Sequence, residues 1–289
     1  MEEKRKPAWL KVEQPTNLDK IHSLMKSKRL HTVCEEAACP NIGKCWNNNH
    51  AAFIIMGNIC TRNCAYCNVQ TGKPLPLDPS EPMNVAEAVK NMGLFHVVIT
   101  TVTRDDLPDQ GAEHFAKTVE AIRKLSPKTS IEVLCQDFLK NNDDAIILIK
   151  SKPDVFNHNI ETVSRLFNNA RRGANYYNSL RLLEMAKRID PNMYTKSGMM
   201  VGLGETDHEI FNTMDDLLQA KVDFLTIGQY LRPSEHHIPI DRYVTPEEFE
   251  KYKKVAEEKG FKLVSSSPFT RSSFFAGEDF IKLQNISNK

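Results

Sequence analysis

Cys60, Cys64 and Cys67 fall within eight residues as Cys-x3-Cys-x2-Cys, with Tyr66 just before the last cysteine and an apolar run, Ala51 to Met56, leading in. Three thiolates at that spacing can hold three irons of a cubane iron–sulfur cluster. The fourth iron is then left without a protein ligand, open to a small molecule. The other use of such a triplet is a structural zinc site, but that needs four N or S ligands, usually as two Cys-x2-Cys halves. No second half follows: the only later cysteine is Cys135, and His50 precedes a predicted strand. The spacing favours a cluster with one open corner.

Cys34, Cys39 and Cys45 form a second triplet upstream, Cys-x4-Cys-x5-Cys followed by Trp46, again one ligand short of closed zinc. Free cysteine is often a small buried hydrophobe. Three of them within twelve residues, in a segment broken by Pro40, Asn41 and Gly43, argue instead for ligands. The chain has seven cysteines, an odd number that argues against complete disulfide pairing and for metal sites in a reducing compartment.

The 289 residues suffice for one large α/β domain or two small ones. A formal charge of +1 gives no reason to expect a nucleic-acid or anionic-membrane partner. No apolar run approaches the ~18 residues that would cross a bilayer. Residues 1–6 lack both the apolar core of a signal peptide and the Arg/Ser bias of a transit peptide. The expectation is a cytoplasmic protein, or an organelle protein with its leader trimmed.

From residue 51 to about 265, β-rich runs alternate with amphipathic helices. The predicted strands are 52–56, 96–101, 130–135, 155–159, 194–202, 224–230 and, more weakly patterned, 261–265. Val85, Val89 and Met92 share one helical face, as do Phe115, Val119 and Ile122, and Leu182, Ala186 and Ile189. Capping boxes open helices at Thr206 and Thr245, and Gly93 and Gly260 are placed to end them. The alternation implies a parallel sheet covered by helices. Six or so repeats suit an incomplete barrel, although periodicity does not separate it from an open doubly wound sheet. In either, a site belongs at the carboxyl ends of the strands.

The Cys60–Cys64–Cys67 segment resembles the radical-SAM superfamily. There the free iron chelates the amino and carboxylate groups of S-adenosylmethionine (SAM) and reduces it to a carbon radical. The resemblance favours a partial (β/α)6 barrel over 51–265, flanked by an N-terminal arm, 1–50, and a C-terminal tail, 266–289. Within the superfamily, Cys34-Glu35-Glu36-Ala37-x-Cys39-Pro40-Asn41-Ile42-x-x-Cys45-Trp46 followed by the Cys60–Cys64–Cys67 triplet is similar to the lipoyl synthase family. The likeness runs from about Lys6 to Ala276. It includes Asn157-His158-Asn159-Ile160-Glu161 and Lys196-Ser197-Gly198-Met199-Met200. Lys44, Gln110, Arg172 and Phe274 depart from the family pattern, and none is a cysteine ligand.

The resemblance implies two 4Fe–4S clusters. Cys60, Cys64 and Cys67 would hold the SAM-binding one. Cys34, Cys39 and Cys45 would hold an auxiliary one, with Ser273 of Arg271-Ser272-Ser273-Phe274 as its fourth ligand and Arg271 as that serine's partner. An alkoxide leaves iron more readily than a thiolate, and a guanidinium favours its deprotonated form. For SAM the expected contacts are Tyr66, Thr100, Thr101, Asn157, Asn159, Arg165, Gly198, Met200, Gly202 and Glu205. His158 is expected to be a hydrogen-bonded structural residue, Glu132 a ribose or adenine contact, and Cys135 core filling.

The implied reaction is insertion of two sulfur atoms, at C6 and C8, into an octanoyl chain amide-linked to a carrier lysine. The implied partners are octanoylated carrier domains (2-oxoacid dehydrogenase E2 subunits and the glycine cleavage H protein), a reductant such as ferredoxin or flavodoxin, and an iron–sulfur carrier protein. The alternatives are another two-cluster sulfur inserter, biotin-synthase-like or methylthiolating, and a non-catalytic iron–sulfur carrier. A carrier would be expected to close each cluster with four cysteines.

Overall fold

The computed structural model describes residues 5–11, 19–47, 50–139, 141 and 143–287. Met1–Lys4, on which part of the leader reading rests, lie outside them. In chain order the main elements are α1 (Asp19–Ser27), β1 (His31–Thr32), α2 (Val33–Glu36), α3 (Ile42–Asn47), β2 (Ala52–Ile55), β3 (Ile59–Cys60), β4 (Gln70–Thr71), α4 (Glu81–Met92), β5 (His96–Thr101) and α5 (Ala112–Leu125). They continue with β6 (Ser130–Leu134), α6 (Asp144–Lys150), β7 (Val155–Asn157), α7 (Ser164–Ala170), α8 (Tyr176–Ile189), β8 (Tyr194–Val201), α9 (Asp207–Gln219), β9 (Phe224–Gln229), α10 (Pro246–Lys259), β10 (Leu263–Ser267) and α11 (Ala276–Ser287).

β2, β5, β6, β7, β8, β9 and β10 form one parallel sheet in that order, each strand hydrogen-bonded to the next. Every residue of β2 and β9 is buried, as expected of parallel strands covered on both faces. The capping boxes at Thr206 and Thr245 are complete, and Gly93 and Gly260 adopt the left-handed C-cap conformation. The last strand lies two residues further on than the sequence pattern placed it, at Leu263–Ser267.

The flanking segments are built into the barrel. The arm adds β1 antiparallel to the free edge of β2. It also carries Cys34 and Cys45 on the short helices α2 and α3, which the broken residue pattern did not announce. At the other end α11 touches both β5 and β10. Its Phe280 ring lies 5.5 Å from His96 and 6.0 Å from Tyr194, which begin β5 and β8. Ser265 Oγ donates to Asp279 at 2.7 Å. α11 therefore caps the amino ends of the strands, opposite the end where a site is expected.

Between β10 and α11 the chain runs close against β8 and β9. A Cβ on Gly228 would lie 2.1 Å from the Thr270 carbonyl oxygen, and one on Gly198 would lie 2.6 Å from Ser272 Oγ. Glycine lets another backbone approach a strand this closely. Gly228→Ala should therefore push the tail off β9 and cost about 1–3 kcal/mol of stability, the usual penalty of overpacking. A urea midpoint equal to that of the unmodified chain would contradict the contact.

Candidate active site

The turn that leaves β2 for the cysteine loop is held by two buried side chains. Met56 has φ of 67°, a left-handed conformation unusual for its side chain. Its N–H donates to Glu81 Oε2 at 2.8 Å, and its carbonyl accepts from Arg104 Nη1 at 3.2 Å. The loop itself is clipped to four neighbours. Thr61 N–H donates to Thr103 O at 3.0 Å, Ala65 N–H to Ala170 O at 2.9 Å, and Ile238 N–H to Ala65 O at 2.9 Å. His237 Nε2 lies 3.0 Å from the Cys67 carbonyl oxygen.

Arg62, between the first two cysteines, ties the loop to the barrel. It forms a two-pronged contact with Asp105, at 2.8 and 2.7 Å, and reaches Asp137 at 2.8 Å. Asp137 also binds Arg171 at 2.9 Å and faces His158 at 3.3 Å. Burial opposes its charge, yet Arg171, His158 and Arg62 together hold its carboxyl well below the ordinary aspartate range. Sequence reading missed Arg62 and Asp137. The signal it had was an arginine inside the cysteine triplet and acids at 105 and 106, with nothing to pair them.

Burial pushes the Cys67 thiol up to about 12, with Cys64 and Cys60 adding to the effect, and pushes Cys64 up likewise. In the arm, burial raises Cys34 to about 11, helped by Cys39, and Cys45 to about 12, helped by Cys34 and Cys39. Raised thiols of this kind give up their protons more readily when a metal takes their place. Among the described residues no three Cys, His, Asp or Glu side chains converge on one ion. A cluster makes no such demand, because each thiolate binds its own iron. The donor sets fit iron–sulfur clusters with one iron short of a cysteine.

Tyr66, Cys67, Thr100, Asn159, Gly198 and Met200 line one cavity of about 450 Å³ at the carboxyl ends of the strands. Cys39, Arg271 and Ser273 line the same cavity, so the cysteine loop, the arm and the tail meet there. Burial lowers the Arg271 guanidinium below its ordinary range, opposed by Cys39 beside it. Its Nη1 donates to the Thr270 carbonyl at 2.6 Å.

The other SAM candidates lie elsewhere. Arg165 is on the surface, paired with Glu209 at 2.6 Å. Thr101 Oγ1 donates to the neighbouring Val102 carbonyl at 2.7 Å. Glu205 accepts the Gly202 and Leu203 amides at 2.5 and 2.9 Å, closing the turn after β8. Asn157 donates to Glu132 at 2.8 Å beneath the cavity. Glu132 is itself committed to Lys196, so it does not reach the cavity as the sequence reading expected. Gly198 lines the cavity, and a Cβ there would meet Ser272, Thr226 and Asn159 of the chain itself. His158 is wholly buried, with Nε2 3.0 Å from Ser179 Oγ, and Cys135 is core.

Glu161 lines the cavity and was not among the candidates. Its φ is 68°, a strained value of the kind found at functional sites. The strain is held by bonds to β8: Glu161 N–H to Gly198 O at 2.9 Å and Met200 N–H to Glu161 O at 2.8 Å. Burial raises its carboxyl pKa, against Arg171, Asn159 and Tyr66, which favour the charge. Its only sequence signal was membership of the 157–161 run.

The radical-SAM superfamily model matches residues 54–217, more than half the chain. Solved structures with the same fold include SuiB from Streptococcus suis bound to S-adenosylmethionine, with a TM-score of 0.58 and 14% identity over 78% of this chain and 53% of that one. Methylornithine synthase, PylB, gives 0.52 and 13% over 86% and 78%. HydG, a maturase of the FeFe hydrogenase, gives 0.59 and 14% over 93% and 60%. The chain spans about half the length of the SuiB structure, and at these identities the likeness shows the fold. The chain belongs to the radical-SAM superfamily, whose members use SAM and a 4Fe–4S cluster. Within it, residues 1–39 match the N-terminal domain of lipoyl synthase.

Asp137→Asn should cost about 3–5 kcal/mol near neutral pH, since it strips two buried arginines of their shared partner. Because the folded pKa lies below the ordinary 3.8, the stabilisation is complete above about pH 4 and is lost as the pH falls toward the folded value. The difference in urea stability between the two proteins should therefore shrink from pH 7 to pH 3. A difference that stays constant would mean that the charge on Asp137 is not its source.

Proposed function

We propose that this protein inserts two sulfur atoms, at C6 and C8, into an octanoyl chain carried on the lysine of a carrier domain, forming a lipoyl group. The observation that carries the reading is that both cysteine triplets reach one cavity. Cys67 and Tyr66 contribute from the barrel loop, and Cys39, Arg271 and Ser273 from the arm and tail. Apolar side chains, among them Val33, Ala52, Val98 and Leu134, line the space they share. The match of residues 1–39 to the lipoyl synthase N-terminal domain supports it independently.

Cys60, Cys64 and Cys67 would hold the SAM-binding cluster, and Cys34, Cys39, Cys45 and Ser273 the auxiliary cluster, consumed as the sulfur donor. When bound, the first cluster and SAM supply a radical able to take hydrogen from an unactivated C–H bond, which no acid–base side chain can do. The chain's own residues do the rest. Arg62, Asp105 and Asp137 fix the cysteine loop against the barrel. Asn159 and Glu161, with Tyr66, offer polar contacts for the amino, carboxylate or hydroxyl groups of SAM. The apolar walls seat a fatty chain and keep solvent and side reactions away from the reacting carbon. The Arg271 cation beside Cys39 favours deprotonated donors at the arm. Octanoylated E2 and H-protein domains would be the substrates, a ferredoxin or flavodoxin the electron source, and an iron–sulfur carrier the means of renewing the spent cluster.

The unmodified protein, reconstituted without oxygen, should bind about eight irons and eight sulfides. With an octanoylated lysyl peptide it should yield a product heavier by two sulfurs in the mass spectrum. Cys64→Ala should abolish SAM cleavage. Cys39→Ala should leave cleavage intact while sulfur insertion falls below detection. Sulfur insertion that survives Cys39→Ala would rule out the arm as the sulfur source. A chain holding only about four irons with both triplets intact would point to a single-cluster enzyme.

A further inference from the structure

Beneath the cavity lies a buried ion pair whose purpose packing alone does not explain. Lys196 on β8 and Glu132 on β6 are each 1% exposed. Lys196 Nζ lies 3.0 and 3.1 Å from the two Glu132 oxygens and 2.5 Å from the carbonyl oxygen of Ser272. The same cation stands 4.6 Å from the centre of the Phe224 ring. Glu132 is steadied in turn by Asn157 Nδ2 at 2.8 Å, with His96 Nε2 3.7 Å away.

An ammonium group has three N–H donors. Two meet the carboxylate inside the barrel, and the third leaves the sheet to bind the tail. Desolvation offsets most of what a buried ion pair contributes, so a methionine beside a glutamine would fill this space at similar stability. The cation adds a directed bond to one carbonyl of the C-terminal segment. Ser272 is held at its other end as well: its Oγ donates to Asn159 Oδ1 at 2.7 Å, in the space that Gly198 leaves without a Cβ. Ser273 is the next residue along and lines the cavity with Cys39 and Arg271.

We propose that Lys196 is a positioning residue for Ser273: by binding the Ser272 carbonyl it fixes the peptide unit from which Ser273 enters the cavity. What that position achieves rests on the proposed ligand role of Ser273. The anchoring itself does not.

The test uses the full-length protein carrying Glu132→Gln with Lys196→Met, which removes both charges together and leaves no buried carboxylate unpaired. Glu132→Gln with Lys196→Leu is a second neutral pair should the first not fold. Hydrogen exchange read by mass spectrometry follows the peptide spanning 269–275. There the Thr270 amide donates to Ser267 O at 3.1 Å and the Phe274 amide to Arg271 O at 2.9 Å. This peptide should exchange about tenfold faster or more in the paired variant, while β5 and α5 keep their protection. Unchanged exchange over 269–275, or loosening of the strands to the same degree, overturns the proposal. After anaerobic reconstitution, the paired variant and Ser273→Ala should lose the same Mössbauer signal from an oxygen-ligated iron. If Ser273→Ala leaves the spectrum unchanged while the paired variant still frees the tail, the ligand reading fails and the anchoring stands.

Discussion

Asp137 is where the chemistry of this molecule is joined to its scaffold. It follows β6 and sits almost wholly out of water, yet it keeps its charge because Arg62, Arg171 and His158 surround it. Arg62 belongs to the cysteine loop, His158 follows β7, and Arg171 follows α7. One carboxylate therefore sets the relation between the loop and the two strand ends that border the cavity. Burying such a group without partners costs several kcal/mol, so the four side chains hold one arrangement or the site comes apart.

The other half of the site is set by steric constraint rather than charge. Here the chain lays its own C-terminal segment across the carboxyl ends of β8 and β9, where Thr270 to Ser273 form part of the cavity wall. Gly198 and Gly228 make room for it, since a side-chain carbon at either position would collide with Ser272 or Thr270. Further contacts hold arm and tail together. Asn41 Nδ2 donates to the Phe269 carbonyl at 2.7 Å, His50 pairs with Glu278 at 3.0 Å, and Lys44 lies 5.6 and 5.1 Å from the Phe274 and Phe275 rings. Lys44 and Phe274, two of the departures from the family pattern, are in contact with each other.

Much of the scaffold was legible in the residue pattern. Strand–helix alternation, the two threonine capping boxes and the two C-cap glycines are local features, decided within a few residues, and they appear where the pattern puts them. The short helices around Cys34 and Cys45 were not legible, because four to six residues carry too little periodicity to register. Arg165, Gly202 and Glu205 were expected at the cofactor, while the fold pairs Arg165 with a surface partner and Glu205 with the amides of Gly202 and Leu203. A polar side chain near a strand end has two directions open to it, and only its neighbours choose between them.

The sequence by itself determined the reactive elements: two sets of three thiols, each one ligand short of closure, on a chain patterned for a parallel α/β sheet. Spacing along the backbone suffices for that, because ligands a few residues apart are near one another in any fold. What only the tertiary structure decided is that residues as distant as Cys39, Cys67, Glu161 and Ser273 border a single cavity, and that Lys196 reaches Ser272 across 76 positions of chain. Contacts of that range depend on strand order, the absent side chains of two glycines and the pairing of buried charges. None of these leaves a local signature.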